Sequence, residues 1–378
     1  MKTFLLSLLI LELFTFNSAV NLEKYYKEFM KSYGYKLEEN PVTTPDGFIL
    51  SVWHLYPHYP NGKVAFLQHG VSDTAWTFFQ LGRKSLPFLL LKEGYDVWLG
   101  NTRGNIFSSE HVSNDADDLN EKYNEHTIDD FVQYDLPTML KYVKERTGVE
   151  KMDYVGHSQG STIIFMLAMH NPELFESSID HFAAVGTVPN IAHTHFTPID
   201  IMDKLSGILK KVNILNYFSL TNLERKLVAD FCKLNKGICK TLFEAATCIK
   251  PSGRIDYSEI YSYLYYFPGG VSKTNLLHWL QCHEMKQLVY YNPNFEKEKT
   301  AVPYNYENLK KWKVKALIAR TDDDTFSSYE DVTELYNTIE DKSYVQILDL
   351  KNYGHFDCLS AESAIKDIFY PIVTFFNE

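Results

Sequence analysis

The pentapeptide "GHSQG" (156–160) sets Ser158 between two glycines, after the apolar stretch "MDYV" and before the apolar, helix-forming "STIIFMLAM". A chain that passes from strand to helix in so few residues turns so tightly that its central residue is strained and its side chain stands above the sheet. Glycine suits positions 156 and 160 because a Cβ at either is expected to strike the neighbouring strand or helix. Ser158 then lies at a helix N-terminus, where free N–H groups and the helix dipole favour developing negative charge. This is the setting of a serine that attacks a carbonyl. The bland alternative is a glycine-flanked turn with a capping serine.

A serine hydroxyl needs a base, and the base needs an acid to orient it. On a strand–turn–helix scaffold of this kind the chain order is serine, acid, histidine. Among His 13, His355 alone follows the acidic run Asp322, Asp323, Asp324, and it lies in the loop "KNYGHFD" after the strand-like "SYVQILDL". The order rule selects His355 as the base and leaves the three aspartates open. An oxyanion hole needs two backbone N–H groups, one from Gln159 beside the nucleophile and one from a loop after an early strand. The stretch "FLQHGV" offers Val71, with Gly70 letting the backbone turn toward the substrate.

The elements around these residues are consistent with that chemistry. "GFILSVWHL", "KVAFLQHG", "YDVWLG", "HFAAVGTV", "KVKALIA" and "SYVQILDL" read as strands. "SLPFLLLKEGY" reads as a helix stopping at Gly94. Thr127 with Asp130 resembles an N-cap pair opening a helical region to Gly148, with Pro137 inside it. Helices are also expected near "SYEDVTELYNTI" and at "SAIKDIFYPIVTFF". Strands alternating with helices predict an α/β fold wound around a mainly parallel central sheet flanked by helices. Between Pro189 and Asn308 the strand signals fade and helical, Tyr-rich stretches replace them, which predicts an inserted, mostly helical cap (189–308) on a core built from 20–188 and 309–378.

With 378 residues, 45% hydrophobic, the chain can bury a large core, and a net charge of -11 argues against a nucleic-acid partner. Residues 1–19, with Lys2, an apolar stretch and Ser18-Ala19, have the layout of a secretory signal, and no later run is apolar enough to predict an integral membrane span. The expected compartment is therefore extracellular or endolysosomal. Cys 5 leaves at least one thiol unpaired, and the cluster Cys232, Cys239, Cys248 is the best place for one disulfide. No N-x-[ST] sequon is present. His193 and His195 could suggest a metal, but no third ligand is spaced nearby in sequence.

"LQHGV", "GYDVWLGNTRGN", "YDLPTMLKYV", "YVGHSQGST" and "YGHFD", in that order, closely resemble the acid lipase family of animals and protists, the family of gastric and lysosomal acid lipases. The likeness begins near "PVTTPDGFIL" and covers most of the chain beyond it. It implies an α/β-hydrolase core, a cap with a lid, and hydrolysis of triacylglycerols or cholesteryl esters at a lipid–water interface. It also implies Ser158 as nucleophile, His355 as base, the N–H groups of Gln159 and Val71 as oxyanion donors, and no metal or organic cofactor. Spacing back from Asp331-Val332 to the family pattern selects Asp324 as the acid, with Asp323 in reserve and Asp322 as a solvated neighbour. Three departures stand out: Val71 replaces the usual Leu, "RTDDDTF" replaces a Gly-rich pair before the acid, and Phe356-Asp357-Cys358 replaces Leu-Asp-Phe after the histidine. The apolar "LSGILKKVNILNYFSL" (205–220), with Lys204, Lys210 and Lys211, suits a lid opening onto lipid or, equally, buried cap packing. Rival readings are a short-chain carboxylesterase and a lipid-binding homologue without chemistry.

Overall fold

The computed structural model describes residues 22–113, 125–194, 216–217, 222–247, 255 and 260–378. The strands in chain order are β1 (Leu37–Thr43), β2 (Phe48–Leu55), β3 (Val64–Gln68), β4 (Asp96–Gly100), β5 (Glu110–His111), β6 (Met152–His157), β7 (Ile179–Val185), β8 (Asn216–Tyr217), β9 (Val271–Ser272), β10 (Lys315–Thr321) and β11 (Val345–Leu350). One sheet runs β1-β2-β4-β3-β6-β7-β10-β11, with β5 added against β2. From β4 to β11 every neighbour is parallel, and β1, β2 and β5 form its antiparallel end.

Both faces of this sheet are covered, which explains why its central strands are apolar throughout rather than alternating. Ala65, Leu67, Val97, Leu99, Val155, Ala183, Val185, Leu317 and Ala319 join one buried cluster. Their neighbours Val64, Phe66, Trp98, Met152, Tyr154, Phe182, Ala184, Ala316 and Ile318 join the other. The first cluster is closed by the helices Leu86–Lys92 and Tyr370–Phe375, the second by Leu136–Thr147 and Gln159–His170. Each large apolar side chain fully removed from water in these layers contributes about 1.5–3 kcal/mol.

The expected stops and starts recur with their physical causes. Gly94 and Gly148 end their helices at φ +90° and +77°, values that only glycine adopts at no steric cost. Thr127 and Asp130 form a reciprocal capping box. A π-helical stretch over 131–135 follows it and runs without a break into the helix Leu136–Thr147, whose second residue is Pro137. Strand β1 was not anticipated: its sequence, LEENPVT, is polar and holds Pro41, which a strand tolerates at a sheet's edge.

Between β7 and β10 the described elements are mainly helical: Asn222–Leu234, Lys236–Thr247, Ile260–Leu264, Lys273–Met285 and two shorter helices, with β8 and β9 as a two-residue ladder. Cys232 and Cys239 form a disulfide joining the first two of these helices, while Cys282 and Cys358 are free and buried. Cys248, residues 1–19 and all of 205–220 except Asn216 and Tyr217 lie outside the described residues. Among the described residues, no helix is long and apolar enough to cross a membrane.

Candidate active site

Strand β6 delivers Ser158 into a turn with φ +54° and ψ -125°, and the helix Gln159–His170 begins at the next residue. A non-glycine residue in that conformation costs about 1–3 kcal/mol, which the surrounding packing must hold in place. A Cβ at Gly160 would lie 2.2 Å from the carbonyl oxygen of Gln68, and one at Gly156 would lie 2.6 Å from Ser161 N. Gly70 is required for a different reason from the one expected: a Cβ there would lie 2.8 Å from the Cβ of Ser158. Its absence lets the loop after β3 pass directly against the serine.

Three side chains from three loops meet at this edge of the sheet. His355 Nε2 lies 2.8 Å from Ser158 Oγ, and His355 Nδ1 lies 2.8 Å from Asp324 Oδ2. An ionised carboxylate only accepts, so Nδ1 carries the proton and donates to Asp324, leaving Nε2 free to accept from the serine hydroxyl. Asp324 is fixed through its other oxygen, which accepts from Phe326 N at 2.8 Å and Ser327 N at 3.1 Å. Its side chain is 1% exposed and that of His355 4%. Asp322 points elsewhere and accepts from Asn352 N at 2.6 Å, so this exposed residue ties the acid loop to the loop leading into His355. It is Asp324, the third aspartate of the run, that pairs with His355 Nδ1.

Val71 directly follows Gly70, whose backbone lies against Ser158, and Gln159 directly follows Ser158. The Val71 N–H has no protein acceptor among the described residues. The Gln159 side chain accepts from Trp279 Nε1 at 2.8 Å, which ties the helix after Ser158 to the helix Lys273–Met285.

The role of "GYDVWLGNTRGN" was not legible in the sequence, and the structure gives it a physical meaning. His69 Nε2 accepts from Thr102 N at 3.2 Å and from Asn105 Nδ2 at 3.1 Å, so His69 Nδ1 carries the proton and donates to Gly70 O at 2.8 Å. Burial pushes this imidazole down to about 4, which keeps it neutral and acceptor-competent. Asn101 Oδ1 accepts from Ala75 N at 2.9 Å. Arg103 anchors the motif beneath: its backbone N–H and Nε donate to Asp135 at 2.8 Å each, and its terminal nitrogens hold Asp46 at 2.5 and 2.9 Å. A buried pair of this kind is strongly destabilising to break, because one charge is left without its partner. His157 is a second buried histidine missed by the sequence reading. Burial holds it well below the ordinary imidazole range, next to the positive charge that His355 can carry.

His193 does meet further acidic groups in space, contrary to the sequence expectation: Nδ1 lies 3.0 Å from Asp331 Oδ1 and Nε2 3.6 Å from Glu334 Oε1. Asp331 is already committed to Ser328 Oγ at 2.8 Å and to His193 N at 3.3 Å, so the cluster caps a helix. On the apolar side of the site, Phe326 packs 4.7 Å from the His355 ring, and Phe356 meets Phe243 and Phe267 at 5.6 and 6.1 Å. Tyr263 stacks on Phe267 at 4.9 Å, so the Tyr-rich stretch reaches this wall.

The sheet order, the strained serine and the histidine beside it define an α/β-hydrolase, and residues 66–362 match the family model described as alpha/beta hydrolase fold. Residues 26–82 match the partial alpha/beta-hydrolase lipase region. A solved esterase from Exiguobacterium antarcticum superposes with a TM-score of 0.54 at 13% identity, covering 90% of this chain and 100% of that one, which shows the shared fold. Lipase member K of Homo sapiens is 30% identical over 368 residues, covering 93% of this chain and 90% of its own. Gastric triacylglycerol lipase of Bos taurus is 30% identical over 371 residues with the same coverage. The chain belongs to the lipases of the α/β-hydrolase family and is an ester-hydrolysing enzyme.

Proposed function

We propose that this protein is a secreted or lysosomal-type lipase that hydrolyses triacylglycerols, cholesteryl esters or both through a Ser158–His355–Asp324 acyl-enzyme mechanism. The observation that carries this reading is the continuous pair of 2.8 Å contacts from Ser158 Oγ through the His355 ring to Asp324. Ser158 Oγ attacks the ester carbonyl carbon while Nε2 takes its proton, and Asp324 stabilises the resulting imidazolium. The carbonyl oxygen, now negative, is held by the N–H groups of Gln159 and Val71. Collapse breaks the ester C–O bond, and the departing alcohol takes the proton from Nε2. A water molecule then gives its proton to Nε2 and attacks the acyl carbon, and the serine leaves with that proton as the fatty acid is released. No step requires a metal or an organic cofactor.

Residues 189–308 serve as the cap in this reading, and its Phe243 and Phe267 form with Phe356 of the core an aromatic wall facing the acyl chain. The expected signal at 1–19 directs export, and the substrate is met at a lipid–water interface. Ser158→Ala is expected to lower turnover of a long-chain ester emulsion about a million-fold. Equal turnover would sink the enzymatic assignment of Ser158. Rates on a short-chain ester that exceed those on the emulsion, with no rise on passing the solubility limit, would assign the enzyme to soluble esters instead.

A further inference from the structure

The loop carrying Val71 is gripped by a stretch nearly two hundred residues further along the chain. Ser72 adopts φ +51°, and its carbonyl accepts from Gly269 N at 2.7 Å. The carbonyl of Gly269 in turn accepts from Ile106 N at 3.0 Å. A Cβ at 269 would lie 2.6 Å from Thr74 Cγ2 and 2.8 Å from the Asp73 carbonyl oxygen, so the strap formed by residues 263–270 lies flat on the loop. Beneath it the Asp73 carboxyl is buried, taking Thr74 N–H through Oδ1 at 2.8 Å and the Tyr263 hydroxyl through Oδ2 at 3.2 Å. Three successive residues, Ser72, Asp73 and Thr74, thus touch the strap immediately after Val71.

We propose that Asp73 is a positioning residue for ester hydrolysis: with Tyr263 it latches the Val71 loop to the strap and so holds the oxyanion donor beside Ser158. This rests on the reading of Val71 as an oxyanion donor. The latch works with a neutral carboxyl. Burial pushes Asp73 up to about 7, against the opposing pull of Thr74 N–H, the Thr77 and Tyr263 hydroxyls and the His355 ring. The titratable groups facing it are Tyr263 from the strap and His355 from the loop after β11. Tyr263 stays a neutral phenol, since burial first and Asp73 second raise it well above its ordinary range. Because the folded value lies above the 3.8 of a free carboxyl, the latch is complete below that ordinary range and is lost as pH rises through about 7. Above it, an ionised carboxylate shut away from water strains the join between loop and strap.

The test is the pH profile of kcat on a soluble short-chain ester for the wild type, Asp73→Asn and Tyr263→Phe. Asp73→Asn copies the neutral acid and cannot ionise, so it is expected to move the alkaline fall in kcat upward by about one pH unit or more. Tyr263→Phe keeps the ring against Phe267 and loses the hydroxyl, with an expected three- to tenfold drop in kcat, roughly one hydrogen bond, and little change in KM. A wild-type profile in folded Asp73→Asn overturns the latch, as does wild-type kcat in Tyr263→Phe. Should Asp73→Asn not fold by circular dichroism, the Tyr263→Phe result decides alone. Ser158→Ala on the same ester separates the two levels: an inert Ser158→Ala beside an unmoved Asp73→Asn removes the latch and leaves the serine mechanism standing, whereas an active Ser158→Ala removes both.

Discussion

At the turn after β6 the constraint is backbone against backbone: the Cβ that Gly160 lacks would sit 2.2 Å from Gln68 O, and the one Gly156 lacks would sit 2.7 Å from Gly160 O. At the turn after β10, residues 321–328, the shape is set by side chains instead. Asp324 collects Phe326 N, Ser327 N and His355 Nδ1, while Asp322 collects Asn352 N. Steric exclusion by backbone admits one residue type and leaves a mark in the sequence. Hydrogen bonding from a loop admits an aspartate at any of three neighbouring positions, and only direction in space distinguishes them.

This contrast breaks or sharpens under substitution. Asp324→Asn leaves the loop's shape but removes the acceptor that sets the His355 tautomer, and kcat is expected to fall about ten-thousandfold on a soluble ester; a loss under tenfold would detach the acid role from this position. Gly160→Ala forces a methyl group into the backbone of β3, with an expected loss of about 3 kcal/mol read from the urea midpoint. An unchanged midpoint would show that the elbow is not governed by that contact. Asp322→Ala deprives Asn352 N–H, at a residue with φ +57°, of its acceptor. The expected cost is about 1 kcal/mol in stability with kcat held within about twofold. Asp323→Asn is expected to leave kcat within about twofold, on the scale of surface substitutions, and a larger loss there than in Asp324→Asn would shift the acid by one residue.

The same distinction explains what could be read from the chain. The parallel strands were legible because a sheet covered on both faces needs unbroken apolar runs such as VAFLQ and DVWLG. The elbow was legible through its glycines, and His355 through chain order. Strand β1 was not, because its edge position permits Pro41 and a polar sequence. Asn101, Arg103, Asn105 and Asp135 stood inside quoted motifs, yet their work in bracing His69 and the Val71 loop depends on partners brought together by folding. The contact that fixes Gly70 lies far off in the chain: no local pattern announces that a serine 88 residues later will press against it. Asp73 gave no signal, since its burial depends on a strap from the far side of the chain.

His355 reaches Ser158 across 197 positions, and its loop leaves β11 at the outer edge of the sheet. Pairings this distant in sequence form late and slowly. A nascent chain that has already wound its elbow therefore carries a strained serine with no base beside it. In the proposed mechanism hydrolysis waits for the loop after β11, and the segment beyond that loop is held where the carbonyl of Phe376 accepts from Lys63 Nζ at 2.6 Å and Tyr95 Oη at 2.8 Å. In the proposed mechanism, then, a chain shortened before β11 would keep its strained serine and lack the base that activates it.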